Sequence, residues 1–255
     1  MTTGTRTPGE FCWINVMTPD TSNAREFLGA LLGWSFFDMP GMGHGITVGG
    51  RNVGGLFDVV SPQTPNGMPP TIGVMVKVDS ADAVAERVQL LGGTAMAPFD
   101  IGTAGRMAVC HDPNGAQFDI WESKSMLGTD VDSTLPGAPS WFETLTSDAA
   151  KATAFYSALF GWTSVTMTMP TGNYTTFKLG DTPVAGLMTL SADMGALTPH
   201  WGTYFTVTSV DETARSAVAL GGAVCVPATD IAGVGRFAGI TSPQGVTFYV
   251  ITYAS

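Results

Sequence analysis

The chain repeats itself. The stretch "CWINVMTPDTSNAREFLGALLGW" (Cys12–Trp34) returns as "WFETLTSDAAKATAFYSALFGW" (Trp141–Trp162). Trp13/Trp141, Asp20/Asp148, Ala24/Ala152, Phe27/Phe155, Leu31/Leu159 and the closing Gly-Trp pairs stay in step. Further on, "VGGLFDV" (Val53–Val59) returns as "VAGLMTL" (Val184–Leu190), and "DIGTAGRMAV" (Asp100–Val109) as "DIAGVGRFAG" (Asp230–Gly239). Self-similarity at a fixed spacing means that one folding unit is used more than once. The repeat predicts two domains, 8–123 and 138–253, joined by a Ser-, Gly-, Pro- and Asp-rich linker at 124–137.

Each half divides again. A short strand such as Phe11–Met17 leads to an Asp or Ser with N-cap chemistry and then to a helical stretch. In the third unit Ala152, Phe155, Tyr156, Leu159 and Phe160 recur at helical spacing, one buried stripe that stops at Gly161. Gly-rich turns and short strands follow. "TIGVMVKVDSADAVAERVQLLGG" and "TYFTVTSVDETARSAVALGG" open the second and fourth units in the same way. The order β-α-β-β-β, four times over, is an α+β fold. "DPNG" and "SPQG" are turn tetrads that launch the last strand of each half, with Pro fixing φ and Gly free to take positive φ.

Composition narrows the partners. A hydrophobic share of 44%, with 14 Phe and 6 Trp, is enough to fill real cores. The net charge of −10, with 11 scattered Lys and Arg, argues against nucleic acid and anionic membranes. Cys12, Cys110 and Cys225 are far apart and form no C-x-x-C pair, so neither a structural zinc nor a disulfide framework is expected. "MTTGTRTPGEF" carries no apolar signal core, and a cytoplasmic protein, monomer or homodimer, is expected. No dinucleotide, P-loop, G-x-S-x-G or H-E-x-x-H motif is present; "GMGHG" lacks the strand–helix context of a dinucleotide site.

The helix openings "TPDTSNAREFLGALLGW" and "TSDAAKATAFYSALFGW", the "LLGG" and "ALGG" helix ends and the "DPNGAQFDIW" turn-strand resemble the vicinal oxygen chelate superfamily, which includes glyoxalase I, extradiol dioxygenases and bleomycin- and fosfomycin-resistance proteins. "PSWFETLTSD", "VAGLM" and "DIAGVGRFA" look like bacterial two-domain glyoxalase-like proteins often labelled hydroxylases. The resemblance implies paired βαβββ modules, each pair forming a curved sheet around a cavity. It also implies one metal donor on each of four strands. Those positions hold Trp13, Gly55, Gly73 and Asp119 in the first half, and Trp141, Gly186, Gly202 and Tyr249 in the second. One carboxylate cannot hold a transition metal against water, so no metal and no other cofactor is expected. His44, His111 and His200 fall on none of these positions.

Strand alternation carries the site prediction further. Trp13, Asn15, Met75, Asp119 and Trp121 should line the first cavity, and Trp141, Glu143, Tyr204 and Tyr249 the second, with His44 folding over a cavity mouth. Such rings either hold a flat organic molecule or plug space left by a lost metal, and Met75 favours plugging. Asp119 and Glu143 are the candidates for proton transfer, set against ordinary buried carboxylates satisfied by neighbours. Arg106 and Arg236, at matching positions, either pair with carboxylates or close turns. Three functions follow: a metal-independent protein that binds a small hydrophobic or aromatic molecule, in sequestration or an antibiotic pathway; a metal-free isomerase, lyase or hydroxylase-type enzyme using Glu143 or Asp119; and a metal-dependent lyase or dioxygenase.

Overall fold

The computed structural model describes residues 3–60, 68–169, 172–191 and 194–254. The first unit runs β1 (Phe11–Thr18), α1 (Thr21–Leu32), β2 (Ser35–Met39), β3 (Gly43–Val48) and β4 (Arg51–Asp58). The second runs β5 (Thr71–Val78), α2 (Ala81–Leu90), β6 (Thr94–Ala95), β7 (Phe99–Ile101), β8 (Gly105–His111) and β9 (Gln117–Ser123). The third is β10 (Pro139–Thr146), α3 (Ala149–Phe160), β11 (Thr163–Met169), β12 (Gly172–Leu179) and β13 (Thr182–Thr189). The fourth is β14 (His200–Thr206), α4 (Val210–Ala219), β15 (Ala223–Ile231), β16 (Gly235–Thr241) and β17 (Thr247–Tyr253).

Local chemistry sets the helix ends. Asp20, Ser80, Asp148 and Ser209 are extended N-caps whose side chains accept from the backbone N–H three residues on. Gly33 and Gly161 close α1 and α3 at φ 68° and 72°, a conformation that penalises a Cβ. Within each unit the first and last strands pair parallel, as β1 with β4 and β14 with β17. Units then join antiparallel through β1–β5 and β10–β14. The result is two curved half-barrel sheets, ordered β2-β3-β4-β1-β5-β9-β8-β6 with β7 on β8, and β11-β12-β13-β10-β14-β17-β16-β15. Pro98 divides β6 from β7, and Pro227 coincides with register shifts in β15; both lie on sheet edges, where a missing N–H is tolerated.

The sheets stand back to back, touching where β5 and β9 face β14 and β17. Helix α1 packs beside α4, and α2 beside α3. The cores therefore cross between halves: Ile14, Phe27 and Leu56 share one cluster with Phe205, Ile240 and Phe248. Val74, Phe118 and Ile120 share another with Phe155, Tyr156 and Phe177. Gly93 and Gly222, just after α2 and α4, leave room for the rings of Phe155 and Phe27 from the opposite half.

The "DPNG" turn is a docking element as well as a strand start. Asp112 Oδ1 accepts from the backbone N–H of Asn114 and Ala116 at 2.8 and 2.9 Å. Its Oδ2 accepts from the Tyr156 hydroxyl of the second half at 3.1 Å, and that oxygen accepts from Trp201 Nε1 at 2.9 Å. Asn114 Nδ2 adds bonds to Thr146 Oγ1 and the Asp148 carbonyl. The helix partner at the matching place in the first half is Leu28, and Ser242 of "SPQG" satisfies only its own turn.

The 124–137 segment is an ordered strap rather than a free tether. Thr129 N–H donates to the Cys12 carbonyl, Gly137 N–H to the Thr206 carbonyl, and Trp34 Nε1 to the Gly137 carbonyl. Val131 is fully buried. Arg106 and Arg236 resolve as carboxylate partners: each grips the first-turn acid of its helix, Asp82 at 2.8 and 2.9 Å and Asp211 at 3.0 Å twice.

Tyr156→Phe leaves the buried Asp112 Oδ2 short of a donor and Trp201 Nε1 short of an acceptor, so urea denaturation should show a loss of about 1–3 kcal/mol. An unchanged midpoint would remove the role of this contact in fastening the halves.

Candidate functional site

Register places two rows of side chains across the middle of each concave face. In the first sheet Asn15 stands between Gly55 of β4 and Gly73 of β5, and the next row is Trp13, Met75 and Asp119. In the second sheet Glu143 stands between Gly186 and Gly202, and the next row is Trp141, Tyr204 and Tyr249. In β1, β5 and β9 the alternate positions Ile14, Val16, Ile72, Val74, Val76 and Ile120 go to the other, helix-bearing face.

The glycines are places into which neighbours lean. A Cβ on Gly55 would collide with the Phe57 ring, one on Gly186 with the Tyr174 hydroxyl, and one on Gly202 would lie 2.7 Å from the Tyr249 ring. Only Gly73 has ordinary room, 3.7 Å from Asn15 Cβ and 3.8 Å from Asp119 Oδ2. Four of the eight positions where a chelating site needs donors are thus side-chain-free and, at three of those four, already occupied by rings.

The second site is a closed polar knot. Glu143, 5% exposed, accepts at Oε1 from the Tyr204 hydroxyl at 3.1 Å and also takes a hydrogen bond from Tyr174. Trp141 Nε1 donates to the Tyr174 oxygen at 2.9 Å. The Tyr204 ring stacks on Tyr249 at 4.6 Å. Burial raises the Glu143 carboxyl above its ordinary range, against the pull of the two phenols. Burial pushes the Tyr249 phenol up to about 12, and the Glu143 charge adds to it.

The first site is less satisfied. Asp119, 4% exposed, accepts from Asn15 Nδ2 at 3.1 Å through Oδ2, while Oδ1 has no hydrogen-bond partner. Burial pushes its carboxyl up from 3.8 to about 7, with Asn15 and Gln117 offsetting only part of the rise. Trp13, Met75 and Trp121 pack with Cys12 into a small core of their own, and Trp121 Nε1 is tied to the Met126 carbonyl at 3.0 Å. These three rings and chains form a floor. Asn15, Trp141, Tyr174 and Tyr249 keep part of their surface open.

His44 does not join either site. It alternates with Gly45 and shares its face with Ile46 and Val48, whose side chains are in the core between the sheets; its Nδ1 lies 2.9 Å from Asp38. Its expected place over the cavity mouth is corrected by strand parity: Phe37 covers Gly45 on the concave side instead. Tyr174 is the residue that sequence reasoning passed over. Its signal is its place on β12, two residues before Thr176, which pairs with Gly186.

No group of three or more His, Cys, Asp or Glu side chains that could hold a metal ion occurs among the described residues. The divalent metal implied by the fold family does not fit what is present: each face offers one carboxylate, tryptophan and glycine add no donors, and burial keeps the phenols of Tyr204 and Tyr249 protonated.

The sequence pattern of the Glyoxalase/Bleomycin resistance protein/Dioxygenase superfamily matches residues 139–250. CFP32 of Mycobacterium bovis and of Mycobacterium tuberculosis, provisionally named a glyoxylase, is 39% identical over 247 residues, covering 94% of this chain and 93% of its own. The chain belongs to this superfamily. The anthracycline biosynthesis protein DnrV of Streptomyces peucetius is 34% identical over 259 residues, covering 96% of this chain and 93% of its own. Among solved structures, a Mn(II)-bound glyoxalase from Novosphingobium aromaticivorans superposes with a TM-score of 0.67 at 14% identity, over 96% of this chain and 82% of that one. The 2,2',3-trihydroxybiphenyl 1,2-dioxygenase of Sphingomonas wittichii gives 0.67 at 14%, over 96% and 90%. At such identities the likeness is one of fold.

Asp119 gives a pH signature with a definite sign. Between about pH 4 and pH 7 the unfolded chain has lost this proton while the folded chain keeps it, so stability should fall as pH rises and level off above that window. Asp119→Asn should flatten the slope, read as urea midpoints across the range. A slope that survives the substitution would assign it to other groups.

Proposed function

We propose that the chain is a metal-independent binding protein for a small, flat, hydrophobic molecule held against the ring-lined concave faces. The observation that carries this reading is the replacement of donors by leaning rings at Gly55, Gly186 and Gly202. Ring faces take planar ligands by stacking, and the half-open Trp141, Tyr174 and Tyr249 present such a wall with hydroxyl groups on it. The DnrV relative supports the same class, because anthracyclines are fused-ring compounds with hydroxyl and carbonyl edges. A small molecule is the proposed partner, not nucleic acid or membrane. Each sheet is closed by units of one chain, so neither face requires a second copy, although a homodimer is compatible with this reading. No helix among the described residues is long and apolar enough to cross a membrane; a cytoplasmic setting is part of the proposal.

Quinizarin, a planar dihydroxyanthraquinone, is a direct probe. It should quench tryptophan fluorescence equally before and after chelator treatment, and Tyr249→Ala should weaken it by about tenfold through lost stacking. Binding that vanishes with the chelator and returns with a stoichiometric transition metal would overturn metal independence.

A second reading rests on Asp119. A carboxyl that titrates near neutrality with one oxygen unpaired can accept a proton from a bound carbon acid, whereas Glu143 is already held by two phenols. Deuterium wash-in at the α-carbon of 1-tetralone, followed by NMR, should exceed the buffer rate and disappear in Asp119→Asn. Exchange at the buffer rate removes the enzymatic reading. Loss in Glu143→Gln alone transfers the role to Glu143.

A further inference from the structure

The N-terminal segment and the strap roof a cavity of about 280 Å³ where the two halves meet. Neither Asp119 nor Glu143 lines it. Its walls are built from related positions of the repeat, Trp13 and Trp141, and from Phe142, which stacks on Phe11 at 4.1 Å with the rings 14° apart. Tyr253 enters from the end of β17, its hydroxyl donating to Ser140 Oγ at 3.1 Å.

Arg6 is the unexplained group in this wall. It is 4% exposed, yet its guanidinium donates only to the carbonyl oxygens of Gly4 and Val131, the latter at 2.7 Å. No carboxylate of the described residues stands within ion-pair distance of it, although Arg51, Arg106 and Arg236 all have one. Glu10 also faces the cavity, but its Oε2 is committed to the Thr7 amide and hydroxyl at 2.6 and 2.8 Å. A guanidinium has five N–H donors in a planar fork, and leaving a buried cation without an anion is costly. Burial pulls the pKa of Arg6 down, and the charges of Glu10, Asp130 and Asp132, none of them in ion-pair contact, offset only part of that fall.

We propose that this junction cavity binds a compact aromatic carboxylate, the anion meeting the free edge of the Arg6 fork and the ring lying among Trp13, Trp141 and Phe142. The fork matches a carboxylate in shape and charge. The volume sits just under the roughly 300–1,000 Å³ of drug-sized sites, which selects ligands of one or two rings. This cavity shares Trp13 and Trp141 with the concave faces, but its anion site is Arg6, which neither concave face contains, so the carboxylate preference stands or falls separately.

Calorimetric titration with 2-naphthoate and its neutral amide, 2-naphthamide, tests it on the full chain. Naphthoate should bind at least about tenfold more tightly than the amide, and Arg6→Gln should erase that preference. Asp119→Asn should leave naphthoate affinity unchanged. Because Arg6 also ties down the strap, the wild-type protein supplies a second readout: NOEs from naphthoate protons to Trp13 and Phe142 side chains. Equal affinity for acid and amide, no naphthoate binding, or a loss confined to Asp119→Asn would each overturn the assignment.

Discussion

A carboxylate set into an apolar floor must either find donors or keep its proton, and both concave faces are organised by that demand. The first half answers with one amide. Asn15 reaches Asp119 across the space that Gly73 leaves open, and the remaining oxygen goes without. The second half answers with phenols, Tyr204 and Tyr174, the latter reaching over Gly186. One duplicated scaffold has thus produced a carboxyl poised near neutrality and another held in place by hydrogen bonds, at different positions of the repeat: Asp119 matches Tyr249, and Glu143 matches Asn15.

Trimming side chains at the sheet centre also decides what the faces can hold. Glycine beside Asn15 and Glu143 leaves each of those rows a single polar side chain, and at Gly55, Gly186 and Gly202 a neighbouring ring leans into the space. A metal centre concentrates its chemistry on one ion and its open positions. On the proposed reading the interaction surface is spread instead over Trp141, Tyr174 and Tyr249, where shape and stacking discriminate.

Much of this was legible in the chain. Period-two alternation placed Trp13, Asn15, Met75 and Asp119 on one face, because the strands are regular at the centre of the sheet and the repeat supplied a second copy to check against. Counting from the turn Asp found Asp119 and Tyr249 side by side with their row partners. The misses have physical causes. His44 was expected over a cavity mouth because Gly-rich hairpins can fold there, but the hairpin stays in the sheet and strand alternation turns His44 to the opposite face. Tyr174 was hidden because it reaches towards Glu143 from β12, across the intervening β13, a relation that no single-strand pattern displays. The strap's order escaped because its composition is that of a linker, and only its backbone bonds to Cys12 and Thr206 reveal that it is packed.

The shared interior behind the two sheets has a thermodynamic corollary. Phe27, Leu28 and Leu56 pack in one cluster with side chains of the other half, just as Phe155, Tyr156 and Phe177 do. Carrying both surfaces on one chain makes their pairing intramolecular, so the stability it lends does not vary with protein concentration.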